Sequence, residues 1–349
     1  MSNKDLARRT KAEITFAGVN ITKDIQPYLL SLTYTDNEDG EADDLQLTLQ
    51  DRDGLWLENW LQEAVETAAG GQLKIGVVLL SENWQSNGQD KMLDCGTFEL
   101  DSVTAQSTPS TLTIKATALP FSAKIRQTLQ TKAWENYTLS GIAKELAAAN
   151  GLACIYDASG NPFYSRVEQL QESDIAFLQK LCYKAGLNLK AAGTMLVLFD
   201  QAVYEQKPSV FIIKRGGGGY IKYKLNTGSA GTQYASCRVS YVEPTSGKCI
   251  EGVAQAEDNT GSSQRLEIAA KVASAAEAKA LAEKYLRSYN KFAQTASFSL
   301  PGNVNLVAGL TVELTEFGGW SGKYIISRAT HGLSGSGYST QIDLRKVQG

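Results

Sequence analysis

Gly96-Thr97-Phe98-Glu99-Leu100-Asp101-Ser102-Val103 is echoed 226 residues later by Gly322-Lys323-Tyr324-Ile325-Ile326-Ser327-Arg328-Ala329. Both copies keep an apolar row at alternate positions (Phe98 and Leu100, Tyr324 and Ile326), the period-two pattern of a half-buried strand. A polar turn and a returning strand follow each copy. Leu112-Thr113-Ile114-Lys115-Ala116 begins fourteen residues after Phe98, and Tyr338-Ser339-Thr340-Gln341-Ile342 begins fourteen after Tyr324, so one offset aligns six positions. Alternation and turn residues are common to all hairpins, which leaves two readings: unrelated hairpins, or a duplicated β domain. Upstream, Gly71-Gln72-Leu73-Lys74-Ile75 resembles Gly309-Leu310-Thr311-Val312, once about eleven residues around Ser81–Lys91 are looped out of the first copy.

Around this pair the chain divides into three. Residues 1–118 read as β, with strands at Pro27–Tyr34, Leu45–Leu49, Leu73–Leu80, Gly96–Val103 and Leu112–Ala118. One amphipathic helix is expected there, from Leu55 to about Ala69, burying Leu57, Trp60, Leu61 and Val65 and ending at Gly70-Gly71. Residues 119–205 read as a small α+β unit. Thr138–Asn150 and Ser173–Lys184 carry apolar residues at helical spacing, Gly151 and Gly186 stop them, and Leu196–Phe199 is a buried strand. Residues 206–349 return to strands at Val210–Lys214, Tyr220–Leu225, Cys237–Val242 and from Thr295 to Leu344. A helix at Ala275–Asn290 interrupts them, opened by the capping box Ser274-Ala275-Ala276-Glu277. The fold class expected is α+β, mainly β, with two related β-barrel-like domains flanking the α+β unit. Three copies around an axis would then present six similar domains.

Composition narrows the chemistry. The 349 residues carry 34 Lys+Arg against 37 Asp+Glu, a net charge of −3, and 43% hydrophobic residues. Such a balance exerts no global pull on nucleic acid or anionic lipid, so no specific nucleic-acid binding is expected. His331 is the one histidine, which excludes multi-histidine metal sites within a chain. Cys95, Cys154, Cys182, Cys237 and Cys249 are dispersed without a C-x-x-C pair and read as buried free thiols of a reducing compartment. The N-terminus is polar, and no window approaches the ~20 apolar residues that span a bilayer. Synthesis in a host cytoplasm without membrane insertion is the expectation.

The chain resembles the baseplate hub family of contractile tails, also called the phage late control D family. That family shares its fold with the hub portion of the valine-glycine-repeat spike proteins of type VI secretion. The resemblance rests on Asp43-Asp44-Leu45-Gln46-Leu47-Thr48-Leu49-Gln50-Asp51, on Gly96 to Asp101, and on Tyr164 to Leu178 with Gly186-Leu187-Asn188-Leu189. Its last elements are Gly322 to Ile326, His331 and Gly337-Tyr338-Ser339-Thr340. The run Gln169-x-x-Glu172-Ser173-Asp174-x-x-Phe177-Leu178 is the most specific, and none of these is a catalytic fingerprint. The resemblance implies a homotrimer of two tube-forming barrels per chain, joining a sixfold tail tube to a threefold central spike. Its implied partners are that spike, the tail tube or tube-initiator proteins, and a tape-measure protein. It also implies a discontinuous second barrel, 206–245 plus 295–349, with 246–294 inserted. The last strand ends close to Gly349, without the fused needle and lysozyme domains of some relatives, so a separate spike protein is expected.

No catalytic, cofactor-binding or metal-binding residue is assigned. His331 lies in a turn between two predicted strands, without a G-x-S-x-G elbow in the chain, and reads as a structural histidine bonding to backbone. Arg215-Gly216-Gly217-Gly218-Gly219-Tyr220 lacks the Lys-Ser/Thr and the following helix of a phosphate loop, and reads as a turn. The acidic run Asp36–Asp44 lacks the glycine at position six and the glutamate at position twelve of a calcium loop and is expected to be a solvated loop. A second reading sets its carboxylates on a channel wall, repelling a passing phosphate backbone. Glu168 and Glu172 read as charges at a helix entry rather than a glycosidase pair. A structural hub is thus the function expected. The rivals are a tail-associated cell-wall hydrolase, for which no acid/base pair or nucleophile is found, and a carbohydrate-binding module. For the latter Trp56, Trp60 and Trp134 lie in or beside predicted helices, where core packing is expected.

Overall fold

The computed structural model describes residues 8–56, 58, 73–84, 89–118, 124–192, 194–228, 233–244, 246–256 and 263–347. Leu57, Trp60, Leu61, Val65 and the glycine pair that should end their helix lie outside these residues.

The first strand series comprises β1 (Arg9–Phe16), β2 (Val19–Asn20), the single turn α1 (Thr22–Ile25), β3 (Leu29–Asn37), β4 (Asp44–Gln50), β5 (Lys74–Glu82), β6 (Lys91–Gln106) and β7 (Thr111–Thr117). Its alternating rows, such as Leu45, Leu47 and Leu49 on β4, fill one core with Ile75, Val77, Leu79 and Phe98. Next come α2 (Lys124–Gln127), β8 (Leu129–Thr138), α3 (Leu139–Ala149), β9 (Ala153–Asp157), β10 (Phe163–Ser173), α4 (Asp174–Ala185), β11 (Asn188–Ala192), β12 (Met195–Phe199) and α5 (Gln201–Gln206). Thr138 and Ser173 cap α3 and α4 by accepting from the amides of Gly141 and Ala176, and Gly186 ends α4 in the left-handed region. The apolar stripes of both helices close on Trp134, Leu196 and Leu198 in a second core.

The last third holds β13 (Phe211–Lys214), β14 (Lys222–Thr227), β15 (Ser236–Val242), β16 (Cys249–Gln255), β17 (Arg265–Ala269), α6 (Ala275–Asn290), β18 (Gln294–Pro301), β19 (Thr311–Thr315), β20 (Gly322–Ser334) and β21 (Gly337–Lys346). Ser274 caps α6 by accepting from Glu277, whose carboxylate accepts in turn from the Ala273 amide. β15, read from sequence as part of the last strand series, pairs instead with β16 and β17. That three-stranded sheet packs on α6 around its own core of Cys237, Val239, Ala278 and Tyr285. The approach is close: a Cβ added to Gly252 would lie 2.2 Å from the Lys279 amide nitrogen, so only glycine lets β16 meet the helix backbone.

Strands from both ends of the chain merge into one 13-stranded sheet, ordered β14-β18-β21-β20-β3-β4-β7-β6-β5-β1-β2, with β19 joining β20 to β13. Among the described residues this path has two open ends and closes into no barrel. The reason is the reach of β20. Its first residues, Gly322–Ile325, pair with β19, while Arg328–Ser334 pair antiparallel with β3, so the last series runs on into the first.

The two series nevertheless follow one pairing order. A line across the first runs Lys74–Glu99–Thr117–Asp44–Thr35 through β5, β6, β7, β4 and β3. The corresponding line runs Thr311–Ile325–Arg345–Thr295–Asn226 through β19, β20, β21, β18 and β14. Both long strands carry a β-bulge at the aligned place, between Leu100 and Ser102 and between Ile326 and Arg328. Gly96 and Gly322, also aligned, both take positive φ. The single sequence offset fails on the returning strand. Leu112 stands opposite Ala105 and Thr340 opposite His331, so Leu112 matches Thr340 and not Tyr338. A slip of two keeps every side chain on its face, whereas a slip of one would invert the strand. β1 and β13 depart from the scheme: β1 runs antiparallel to β5, β13 parallel to β19.

Candidate functional site: a buried ionic junction

The acidic run between β3 and β4 is not a solvated loop. Asp36, Asn37, Glu38 and Asp43 are each 5% exposed or less. Asn37 anchors the loop locally, its amide donating to Asp43 (2.9 Å) and its side-chain nitrogen to the Ala42 carbonyl (2.9 Å). Carboxylates held this way out of water need counter-charges, and those come from far along the chain.

Arg345 on β21 supplies the central one. Only 1% exposed, its guanidinium donates to Glu38 through Nε (3.1 Å) and Nη2 (2.8 Å) and to Glu205 of α5 through Nη1 (2.6 Å). Glu205 also accepts from Arg287 of α6 (3.0 Å). Burial raises the Glu38 pKa, and Arg345 opposes the rise. Lys190 of β11 forms ion pairs with Asp36 and, at 3.5 Å, with Asp43. Burial works against the Lys190 charge, but the two aspartates outweigh it and hold its pKa above the usual lysine value. Asp43 is pushed up to about 7 by burial, with Lys190 acting against the rise. At the rim Asp39 meets Asn188, Gln201 (3.3 Å) and Lys291 (3.2 Å), and Arg328 bonds Asn37 (2.9 Å) and Glu41 (2.6 Å). Backbone joins in: Ala308 donates to Asp36, and Glu38 to the Ser327 carbonyl.

This nine-residue run, the loop 38–43 with the strand ends beside it, thereby ties the first strand series to the middle unit, to α6 and to the last series. Each buried carboxylate faces a cation, with Lys190 shared by Asp36 and Asp43 and Arg345 shared by Glu38 and Glu205, and a shift of any unit would strand a buried charge at a cost of about 3–5 kcal/mol. A cleft of about 510 Å³ between α4 and α6 opens beside the junction, with Lys284 and Asp200 on its walls. Arg345, Glu205, Lys190 and Lys291 carried no signal in the sequence, because each lies more than 140 residues from its loop partner or is joined to it through Arg345.

The other candidates occupy ordinary positions. His331 is not in a turn: it lies within β20, fully buried, opposite Thr340 and Tyr34. Its Nδ1 meets the Tyr338 hydroxyl (2.7 Å) and its Nε2 the Leu306 carbonyl (3.0 Å), and it stacks on Tyr34. Burial pulls its pKa down to about 4. Gly216–Gly219 form the turn between β13 and β14. Glu168 and Glu172 lie on strand β10, Glu172 directly before the Ser173 cap of α4, and pair with Arg166 and Lys180. Trp134 is buried on β8, stacked on Phe177, and Trp56 is buried in the first core. Of the five thiols expected inside, Cys249 is exposed and Cys154 half-buried. Among the described residues no cluster of His, Cys, Asp or Glu is arranged to hold a metal ion, and no helix is long and apolar enough to cross a membrane.

The fold is that of phage-tail proteins. The 43 kDa tail protein of prophage MuSo2 from Shewanella oneidensis superposes with a TM-score of 0.70 at 15% identity, covering 97% of this chain and 98% of that one. A type VI secretion system component from E. coli superposes at 0.53 and 10% identity, covering 92% and 74%. In sequence, the probable baseplate hub protein of Escherichia phage 186 is 31% identical over 187 residues, which are 53% of this chain and 44% of that protein. The alignment thus spans less than half the length of that relative. The model of the phage tail baseplate hub (GPD) family matches residues 98–337. This chain belongs to that family.

Proposed function

We propose that this chain is a structural hub of a contractile phage tail or tail-like injection particle. In this reading the first and last strand series are two related tube-forming domains. Three copies set six such domains in a ring, whose other faces meet a sixfold tail tube or tube initiator and a threefold central spike, with a tape-measure protein as a further neighbour. The observation that carries it is the shared pairing order of the two series, aligned bulges included, in a chain of the hub family. Two like units per chain are what a threefold ring needs to present near-sixfold symmetry. Apolar contact between copies would supply most of the assembly free energy, at roughly 25 cal/mol per Å² buried before ordering costs. The ionic junction suits such a part, since a ring transmitting axial load must keep its domains from sliding.

Native mass spectrometry over a range of concentrations tests the reading. A species near three times the 37.7 kDa chain mass, with a central hole in negative stain, is the expected result. A strict monomer, with and without the candidate spike protein, would overturn it.

A further inference from the structure

Within the chain the two strand series meet in one strand pairing. In the junction between its two strand series, the second half of β20 offers an edge on which β3 is seated: Ala329 opposite Asp36, Thr330 opposite Thr35, His331 opposite Tyr34, Gly332 opposite Thr33. The sheet registers give each of these strands a counterpart. β6 matches β20, so Val103, Thr104, Ala105 and Gln106 stand where Ala329 to Gly332 stand. β14 matches β3, so Thr227, Asn226, Leu225 and Lys224 stand where Asp36 to Thr33 stand.

These counterparts do not meet each other within the chain. Among the described residues, β14 pairs with β18 alone, and the second half of β6 pairs with β7 alone because β5 ends its ladder at Glu99. Their side chains are uncovered accordingly. His331 and Ala329 are fully buried, while Ala105 is exposed and Val103 half-buried; Leu32 is fully buried, while its counterpart Tyr223 is 41% exposed. Among the described residues these two edges are thus unpaired, and each is the counterpart of an edge that is paired elsewhere in the same chain. An open edge is a ready template for strand addition from another chain.

We propose that β14 of one copy pairs antiparallel with the second half of β6 of the next, in the register Val103–Thr227, Thr104–Asn226, Ala105–Leu225 and Gln106–Lys224. The occupant of each edge is a second copy of this chain. Contacts within and between chains then become alike in kind, and a head-to-tail interface of this sort makes a closed ring when its rotation closes. The number three rests on the hub reading above; the choice of edges and the register do not.

The test is a cysteine pair, Ala105→Cys with Leu225→Cys, in a chain whose Cys154 and Cys249 are replaced by serine. Directly opposed residues of an antiparallel pair have Cβ atoms about 4.5–5.5 Å apart, near enough for a disulfide after slight adjustment. Mild oxidation is expected to give covalent dimers and a closed covalent trimer on non-reducing gels, and neither single variant alone should cross-link. The off-register pair Ala105→Cys with Lys222→Cys should remain largely uncross-linked. A second measurement uses exposed side chains. Thr104→Glu with Asn226→Glu sets like charges opposite each other and should abolish the trimer in native mass spectra, and Thr104→Lys with Asn226→Glu should restore it. A trimer that forms without the 105–225 cross-link and ignores the paired charges overturns this interface while leaving the hub reading standing. A strict monomer for the unmodified chain, spike added, overturns both.

Discussion

Replacing Arg345 with methionine removes the one cation that faces both Glu38 and Glu205. The methionine is near arginine in length and apolar, so packing is largely kept and the charge effect is isolated. Three charge-assisted hydrogen bonds of 2.6, 2.8 and 3.1 Å are lost at a site 1% exposed. Among the described residues Glu38 is then left without an ion pair, keeping the Gln201 amide at 3.4 Å and the more distant Lys291, whereas Glu205 keeps Arg287 at 3.0 Å. Breaking a buried pair from one side costs about 3–5 kcal/mol. At an m-value of about 3 kcal/mol/M, this lowers the urea midpoint by roughly 1–2 M. Urea unfolding should be followed by tryptophan fluorescence and by protease susceptibility together, since a chain with four cores need not unfold in one step. The decisive comparison is the triple variant Glu38→Met, Glu205→Met, Arg345→Met. With the anions gone as well, most of the lost stability should return, because a buried ion cluster is worth little against well-packed apolar replacements. An Arg345→Met unfolding free energy within about 1 kcal/mol of wild type, or a triple variant no better than the single one, would refute the reasoning.

His331 makes stability depend on pH. With its pKa at about 4 in the fold against an ordinary 6.5, the unfolded chain binds more protons between those values. Stability is therefore lost as pH falls from 6.5 towards 4, by up to roughly 3 kcal/mol. The His331→Gln curve subtracted from the wild-type curve should carry that slope, and a flat difference would count against a buried neutral histidine. Gly252→Ala should loosen the sheet of β15, β16 and β17 from α6 by about 1–3 kcal/mol, seen as early proteolysis confined to that unit. Ser173→Ala should cost about 1 kcal/mol through the lost cap of α4, and Ser173→Asp should recover most of it in thermal melts.

What could be read before folding was whatever a side chain does with near neighbours in sequence. Thr138, Ser173 and Ser274 cap helices by bonds to amides three residues on, so the signal and its partner share one window. Alternation marked the core faces of β4, β7 and β20, and the echo of Gly96–Val103 in Gly322–Ala329 marked two strands that carry a bulge at the same place. Family membership was legible for the same reason, since Gln169 to Leu178 is a strand end, a cap and the first turn of α4 in one run. Only the tertiary structure decided where the charges went. Asp36 to Asp44 looked like a solvated loop because nothing nearby neutralises it; Lys190 and Arg345 arrive through β11 and β21, about 150 and 300 residues further on. It also decided that β20 extends beyond β19 to take β3, so that the two expected β-barrel-like units merge into one sheet that stays open among the described residues. Burial of a carboxylate and choice of a strand partner are properties of what the fold brings within about 3 Å, and sequence distance carries no record of that.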